Sequence, residues 1–274
     1  MTGLASREPL RTLRALPTLL KVGVAEAVAY RAEFVIWLLT TTMPLVMLAL
    51  WSEVAREGGP VGGFTGRDFT AYFLAAFIVR QLTGCWVAWD LNREIREGLI
   101  SMRLLRPIHP LAAYGAENLA VLPMRLLVSL PVAILALWIA GGDHVTHDPW
   151  LLVLFGVSIA GAWLLSFSIM AIIGSLAFFI DSTLAVADLW FGLFFILSGY
   201  FVPLALFPPW LRKAADVLPF RPMLGLPVEI LIGMQDRASA LRGLGVEWAW
   251  VAVTWTLAIL VFGAGARRYS AYGA

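Results

Sequence analysis

From Pro149 to Ile180 the chain runs without a single charged side chain. A stretch this long and apolar exceeds the roughly 20 residues that a helix needs to cross a bilayer. As one helix it would run about 48 Å, at about 1.5 Å per residue, against a hydrocarbon core of about 30 Å. It must therefore tilt, extend past the bilayer or break, and Gly174-Ser175 is the expected place for a break. Only 14% of the chain is charged and 60% is hydrophobic, whereas soluble domains are about one quarter charged. The fold class that follows is an all-α integral membrane protein.

Other apolar stretches extend the pattern to six expected transmembrane helices. Phe34–Ser52 is uncharged between Glu33 and Glu53 and reads as span 1, with a kink expected at Pro44. Glu53 to Asp68 is glycine-rich and reads as an external loop. Phe69–Trp89 is span 2, interrupted by Arg80. Asn118 to Ala140 is span 3 and contains Pro123, Arg125 and Pro131. Span 4 starts at Asp148-Pro149, an acceptor side chain followed by a proline at the first helical position. Its Ser158, Ala162 and Ser166 offer a small-residue face to another helix. Asp181-Ser182-Thr183 is a turn and expected cap for span 5, Leu184–Phe207. Trp248–Ala266 is span 6.

The segment 200–247 does not fit an ordinary loop. It is too apolar for water, and Pro203, Pro208, Pro209, Pro219, Pro222 and Pro227 cut it into pieces too short to span. Two short helices, Pro209–Val217 and Met223–Leu231, are expected, forming an outer re-entrant hairpin shielded by protein. Residues 1–29 carry Arg7, Arg11, Arg14 and Lys21, while Leu10, Leu13, Leu16, Leu20, Val24 and Val28 share a helical face. That pattern suits an amphipathic helix on the membrane surface rather than a cleavable signal. Residues 30–274 then form one transmembrane domain.

Between spans 2 and 3 lies the most polar stretch, 90–111, with Asp90, Arg93, Glu94, Arg96, Glu97, Arg103 and Arg106. Leu91, Ile95, Leu99 and Met102 recur at helical spacing, so one helix with a charged face is expected, ending at Pro107. With both termini on the side of this stretch, Arg7, Arg11, Arg14, Lys21, Arg31, Arg93, Arg96, Arg103, Arg106, Arg267 and Arg268 lie inside. Arg56, Arg67, Arg212, Lys213, Arg221, Arg237 and Arg242 lie outside. The excess of basic residues places the termini and the polar stretch in the cytoplasm.

Two groups of residues match a known pattern. Arg93-Glu94-Ile95-Arg96-Glu97-Gly98 runs into Leu105-Arg106-Pro107-Ile108-His109-Pro110. Ser198-Gly199-Tyr200-Phe201-Val202-Pro203 is followed by Phe207-Pro208-Pro209-Trp210, Leu218-Pro219-Phe220 and Pro227-Val228-Glu229-Ile230. In this order, over nearly the whole chain, they resemble the bacterial type-2 ABC transporter permeases. The resemblance implies a six-helix permease half with an N-terminal interfacial helix and an outer re-entrant hairpin between spans 5 and 6. It also implies a cytoplasmic coupling helix at Arg93, Glu94, Ile95, Arg96, Glu97, Gly98 and Leu99. Two such halves, the same or homologous chains, pair in the bacterial inner membrane and dock on two copies of an ATP-binding subunit that carries the ATP and Mg. The direction implied is export. The chain has no G-x-x-x-x-G-K-[ST] phosphate loop, so it is not itself expected to hydrolyse ATP, nor to hold a cofactor.

Charges inside spans cost about 2.5–3.5 kcal/mol each on insertion scales. Arg80 and Arg125, with Asp188 in span 5, are therefore candidates for a substrate path suited to an anion or a lipid headgroup. Structural pairing with Glu117 or Asp188, or snorkelling of the arginine stems, is the alternative. Asp181 and Asp188 suit a helix cap and an interface, or a proton relay. Asp143, His144, His147 and Asp148 are metal-ligand types at a weak spacing, more ordinary as a turn. Membrane lipid is an expected partner, and a net charge of +2 gives no argument for nucleic acid. An ion-coupled secondary transporter and a non-transport membrane assembly subunit are the competing functional classes. The first needs buried acids or broken helices near mid-membrane.

Overall fold

A computed structural model of the protein describes residues 42–141 and 145–272. The N-terminal segment 1–29, and the part of span 1 before Thr42, lie outside the described residues. Twelve α-helices are found among the described residues, and no strand longer than the isolated Val61–Phe64 bridge. In order they are α1 (Met43–Gly58), α2 (Gly66–Thr83), α3 (Val87–Arg96), α4 (Ile100–Leu104), α5 (Pro110–Ala120) and α6 (Leu122–Gly141). There follow α7 (Pro149–Ser175), α8 (Thr183–Leu197), α9 (Pro209–Val217), α10 (Phe220–Met223), α11 (Gly225–Leu231) and α12 (Arg237–Tyr272). Three stretches are long and apolar enough to cross a membrane: Gly66–Arg96 taken through its break, Pro149–Phe178 and Arg237–Tyr269.

Helix α2 is the centre of the bundle. Thr65 and Asp68 cap its start reciprocally, Asp68 accepting from the Thr65 N–H at 2.7 Å. From Phe69 to Gln81 all but Thr70 are buried, as expected of a helix that is apolar all round. The expected continuous span 2 is interrupted at Gly84–Trp86, and α3 resumes from Val87. Span 1 also differs: Pro44 falls in the first turn of α1, where its missing N–H costs nothing, and not at a kink.

Helix α7 begins as the sequence requires, with the Asp148 side chain accepting from the Trp150 N–H at 3.0 Å and Pro149 in the first turn. It ends at Ser175, where a single 3₁₀ turn (Leu176–Phe178) takes over, so the over-long apolar run does break at the expected point. Its 27 residues rise about 40 Å. The small-residue face is buried, with Ser158, Ala162 and Ser166 inside, and α12 packs along α7. Ser168 and Thr254 hydroxyls meet at 2.7 Å across that contact. Near its far end α7 is crossed by α3. A Cβ at Gly174 would lie 2.9 Å from the Ala88 Cα and 3.1 Å from its carbonyl oxygen.

Three boundaries differ from the sequence expectation. Helix α8 stops at Leu197, about 22 Å long, rather than reaching Phe207. The chain turns at Ser198–Gly199, and the Tyr72 hydroxyl donates to the Gly199 carbonyl at 2.9 Å. In the segment 200–247 the helix at Pro209–Val217 is as expected, while Met223–Leu231 is divided by Leu224 into α10 and α11. The last part of that segment, from Arg237, is already α12, whose 36 residues run about 54 Å. Charged residues at Arg237, Arg242 and Glu247 obscured this start, because a helix that emerges from apolar surroundings loses its hydropathy signal without ending.

The crossing at Gly174 yields a prediction. Gly174→Val places a branched side chain against the α3 backbone, which cannot yield as a side-chain tip would. It should cost about 1–3 kcal/mol or more and lower the unfolding midpoint in mild detergent. Gly156→Ala, with open space around it, should leave the midpoint unchanged.

Candidate functional site

The polar stretch folds into a hairpin rather than the single helix expected. Helix α3 ends at Arg96, Gly98 takes φ +79°, and α4 leaves in a new direction. Only glycine adopts that backbone without strain. The hairpin turns some of its residues inward and others out. Leu91, Asn92, Glu94, Ile95 and Ile100 are buried, whereas Arg93, Arg96, Glu97 and Leu99 are exposed. The exposed tip is apolar: Leu99 is 50% exposed, Met102 63% and Leu105 82%. Three large apolar side chains presented together on a charged hairpin have the form of a protein contact surface.

The tip is braced from behind by one arginine. Arg103 in α4 donates from Nε and Nη2 to both oxygens of Glu94, at 2.7 and 2.8 Å. Its Nη1 and Nη2 reach Glu117 in α5 at 2.7 and 3.1 Å. The same guanidinium lies 4.1 Å from the centroid of the Tyr114 ring, and the Tyr114 hydroxyl donates to Glu94 at 2.7 Å. One planar fork thus ties three helices, a geometry that lysine could not supply. Burial works against the Arg103 charge, but the two carboxylates outweigh it and raise its pKa. Burial, followed by the hydrogen bond to Glu94, pushes the Tyr114 phenol up.

Three more contacts hold the hairpin to the rest of that end of the bundle. Arg96 donates to the carbonyl oxygens of Ile180 and Asp181, in the turn between α7 and α8. Asn92 donates to the Thr183 hydroxyl at the start of α8. Tyr269, near the end of α12, donates to the Gly98 carbonyl at 3.4 Å. The hairpin is thereby linked to α5, α8 and α12.

Of the three candidate path residues, Arg80 and Arg125 lie near each other at the break after α2, and Asp188 stands apart. Arg125 in α6 is buried, and its Nη1 donates at 2.8 Å to the Gly84 carbonyl, at the break between α2 and α3. Arg80 is buried one turn earlier, its guanidinium 5.3 Å from the Phe194 ring centroid and 5.9 Å from that of Phe191. Asp188 is exposed on α8. The two acids expected as partners are placed elsewhere, since Glu117 belongs to the Arg103 network. Asp143 and His144 lie outside the described residues. Glu94, expected on the outward coupling face, is turned into the bundle.

The family model for ABC-2 family transporter proteins matches residues 40–273. The chain belongs to the ABC-2 transporter family. A comparison with curated proteins found no match. An ABC-2 transporter chain is a membrane permease, a transmembrane subunit without catalysis of its own, and its family normally works with an ATP-binding subunit. In this ABC-2 chain, sequence reasoning missed Arg103, Tyr114 and Glu117 as a unit. Tyr114 and Glu117 are helical neighbours on α5, but Pro107 and Pro110 separate them from Arg103, so only the hairpin brings the three together. It also missed Glu247, which is wholly buried in α12 and accepts from the Ser158 hydroxyl at 3.0 Å.

Removing the brace should loosen the tip without unfolding the bundle. Arg103→Ala leaves two carboxylates facing each other and should cost about 1–3 kcal/mol locally. Amides of residues 97–106 should exchange with deuterium faster, while those of α7 stay protected. Arg103→Lys should fall between the two. Unchanged exchange at 97–106 in the alanine variant would mean that the brace does not hold the tip.

Proposed function

We propose that the chain is the transmembrane half of an ATP-driven exporter, and that the hairpin tip is its contact with the ATP-binding subunit. The observation that carries this reading is the exposed apolar set Leu99, Met102 and Leu105, on a turn braced rigidly by Arg103. A rigid lever with a greasy end suits a partner that moves. In the proposed complex, two permease halves pair and each docks on one ATP-binding subunit, where ATP and Mg are held. Closure of those subunits draws the two hairpins together, and the braces transmit the movement to α5, α8 and α12.

In this reading the chain has six spans, with both termini and the hairpin in the cytoplasm of a bacterial inner membrane. Support comes from the distribution of Lys and Arg and from three membrane-length apolar stretches. The remaining spans are proposed from α1 with the residues before it, α6 with its 20 residues, and the shorter apolar α8. The coupling element moves from Arg93–Leu99 to the turn at Glu97–Leu99 together with α4. Of the path candidates, Asp188 on the exposed face of α8 is proposed to meet substrate between the halves. Arg80 and Arg125 are proposed to keep the broken second span in shape. Export is the direction that the resemblance to type-2 permeases implies.

Ion-coupled transport is a second reading, drawn from Glu247. A carboxyl buried between α7 and α12, with one hydroxyl partner and its other oxygen unpartnered, is the kind of group an ion-coupled carrier uses.

Met102→Asp combined with Leu105→Asp should leave the melting of the chain unchanged, because both side chains are exposed. In a mild-detergent pull-down from native membranes, it should reduce co-purifying ATP-binding subunit and vanadate-sensitive ATPase activity about tenfold or more. Full retention of the ATPase partner would sink the tip assignment. A stable complex without any ATPase, even for the unaltered chain, would turn the reading toward Glu247 and ion coupling.

A further inference from the structure

At the end of the bundle opposite the hairpin, α9, α10, α11 and the first turns of α12 enclose an open cleft of about 340 Å³. That is near the lower limit for ligand pockets, so it admits a headgroup rather than a large molecule. Arg212, Arg221 and Arg242 line it against one acid, Asp216, and Pro222, Leu226 and Val246 supply apolar wall. Arg221 is fixed at its base, donating to Asp216 at 2.8 Å and to Glu229 at 2.7 Å. Gln235 also donates to Glu229, at 2.8 Å.

The other two arginines form no direct ion pair among the described residues. Arg212 is exposed and has no ion-pair or hydrogen-bond partner among the described residues. Arg242 donates to the Ser239 hydroxyl at 3.0 Å and forms no direct ion pair among the described residues, although the Asp236 carboxylate lies within its field. The cleft therefore presents the Arg212 guanidinium, the remaining N–H groups of Arg242 and an apolar wall on one side. Two indoles lie nearby in the chain: Trp210, two residues before Arg212 on α9, is 70% exposed, and Trp250, four residues after Val246 on α12, donates its N–H to the Val217 carbonyl at 2.8 Å. Exposed indoles beside basic residues mark the level of lipid headgroups.

We propose that this cleft binds a phosphoryl anion carried on an apolar tail, such as the headgroup of an anionic phospholipid. Guanidinium forks match phosphate oxygens with paired hydrogen bonds. The apolar wall gives the first carbons of a chain a dry surface, which a free anion does not need. Under the proposed orientation the cleft opens to the outer leaflet, where it would hold a lipid beside α12. Binding itself depends on neither orientation nor transport, so it is testable on the chain alone.

The test is calorimetric titration of the full chain in neutral detergent with dihexanoyl phosphatidylglycerol, dihexanoyl phosphatidylcholine and inorganic phosphate. Phosphatidylglycerol should bind and phosphatidylcholine should bind at least about tenfold more weakly. Arg212→Gln with Arg242→Gln should weaken phosphatidylglycerol about tenfold or more. Arg67→Gln, an exposed charge outside the cleft, should leave binding unchanged. Inorganic phosphate binding as tightly as the lipid would support the anion site but remove the tail from the proposal. Equal binding by the double variant, or an equal loss in Arg67→Gln, would overturn it. Should the double variant melt early, Arg212→Gln alone decides, since that side chain has no partner to lose.

Discussion

A backbone carbonyl released from a helix inside an apolar surrounding has no water to turn to, and leaving it bare costs several kcal/mol. This chain breaks its helices repeatedly, and several of the breaks are answered by a donor from far along the sequence. Arg125 donates to Gly84 where α2 gives way to α3. Tyr72 donates to Gly199 and Trp51 to Phe201 at the end of α8. At exposed helix ends the same pattern recurs, Trp250 donating to Val217 at the end of α9 and Arg96 to Ile180 after α7. The polar atoms of Arg, Tyr and Trp thus serve as portable partners for irregular backbone. Each such bond joins two helices as well as satisfying one carbonyl, so the irregular points are also the points of attachment.

The polar hairpin uses the same economy for a different end. Arg103 binds Glu94, Glu117 and the Tyr114 ring with one guanidinium, while Leu91, Ile95 and Ile100 anchor the hairpin in the main apolar core. This leaves Leu99, Met102 and Leu105 free to face outward. The proposed contact surface has to be stiff to transmit force and apolar to bind, and separate residues would meet the two demands. Arg80 and Arg125 follow a related logic in the membrane part, where aromatic rings and a carbonyl receive them in place of carboxylates.

Much of the fold was legible because membrane helices announce themselves by the absence of charge. The start at Asp148-Pro149, the end near Gly174-Ser175 and the short helix Pro209–Val217 all followed from local chemistry: an acceptor, a proline, a run too long for the bilayer. The break at Gly84 was not legible, since nothing in Thr83-Gly84-Cys85-Trp86 excludes helix in an apolar run. Nor was the inward turn of Glu94. Helical spacing put Glu94 on the charged side of α3, and only the return of the chain through α4 and α5 supplied the Arg103 cation and the Tyr114 hydroxyl that draw it in.

By itself the sequence determined the class of the protein, its apolar stretches and the position of the polar segment between them, because burial in lipid is a property of each stretch taken alone. The tertiary structure decided which charges became internal braces and which residues became surface. Glu94, Arg103 and Glu117, like Ser158 and Glu247, are defined by neighbours that lie many residues away. A hydrogen bond or an ion pair depends on distances that only the packed helices set.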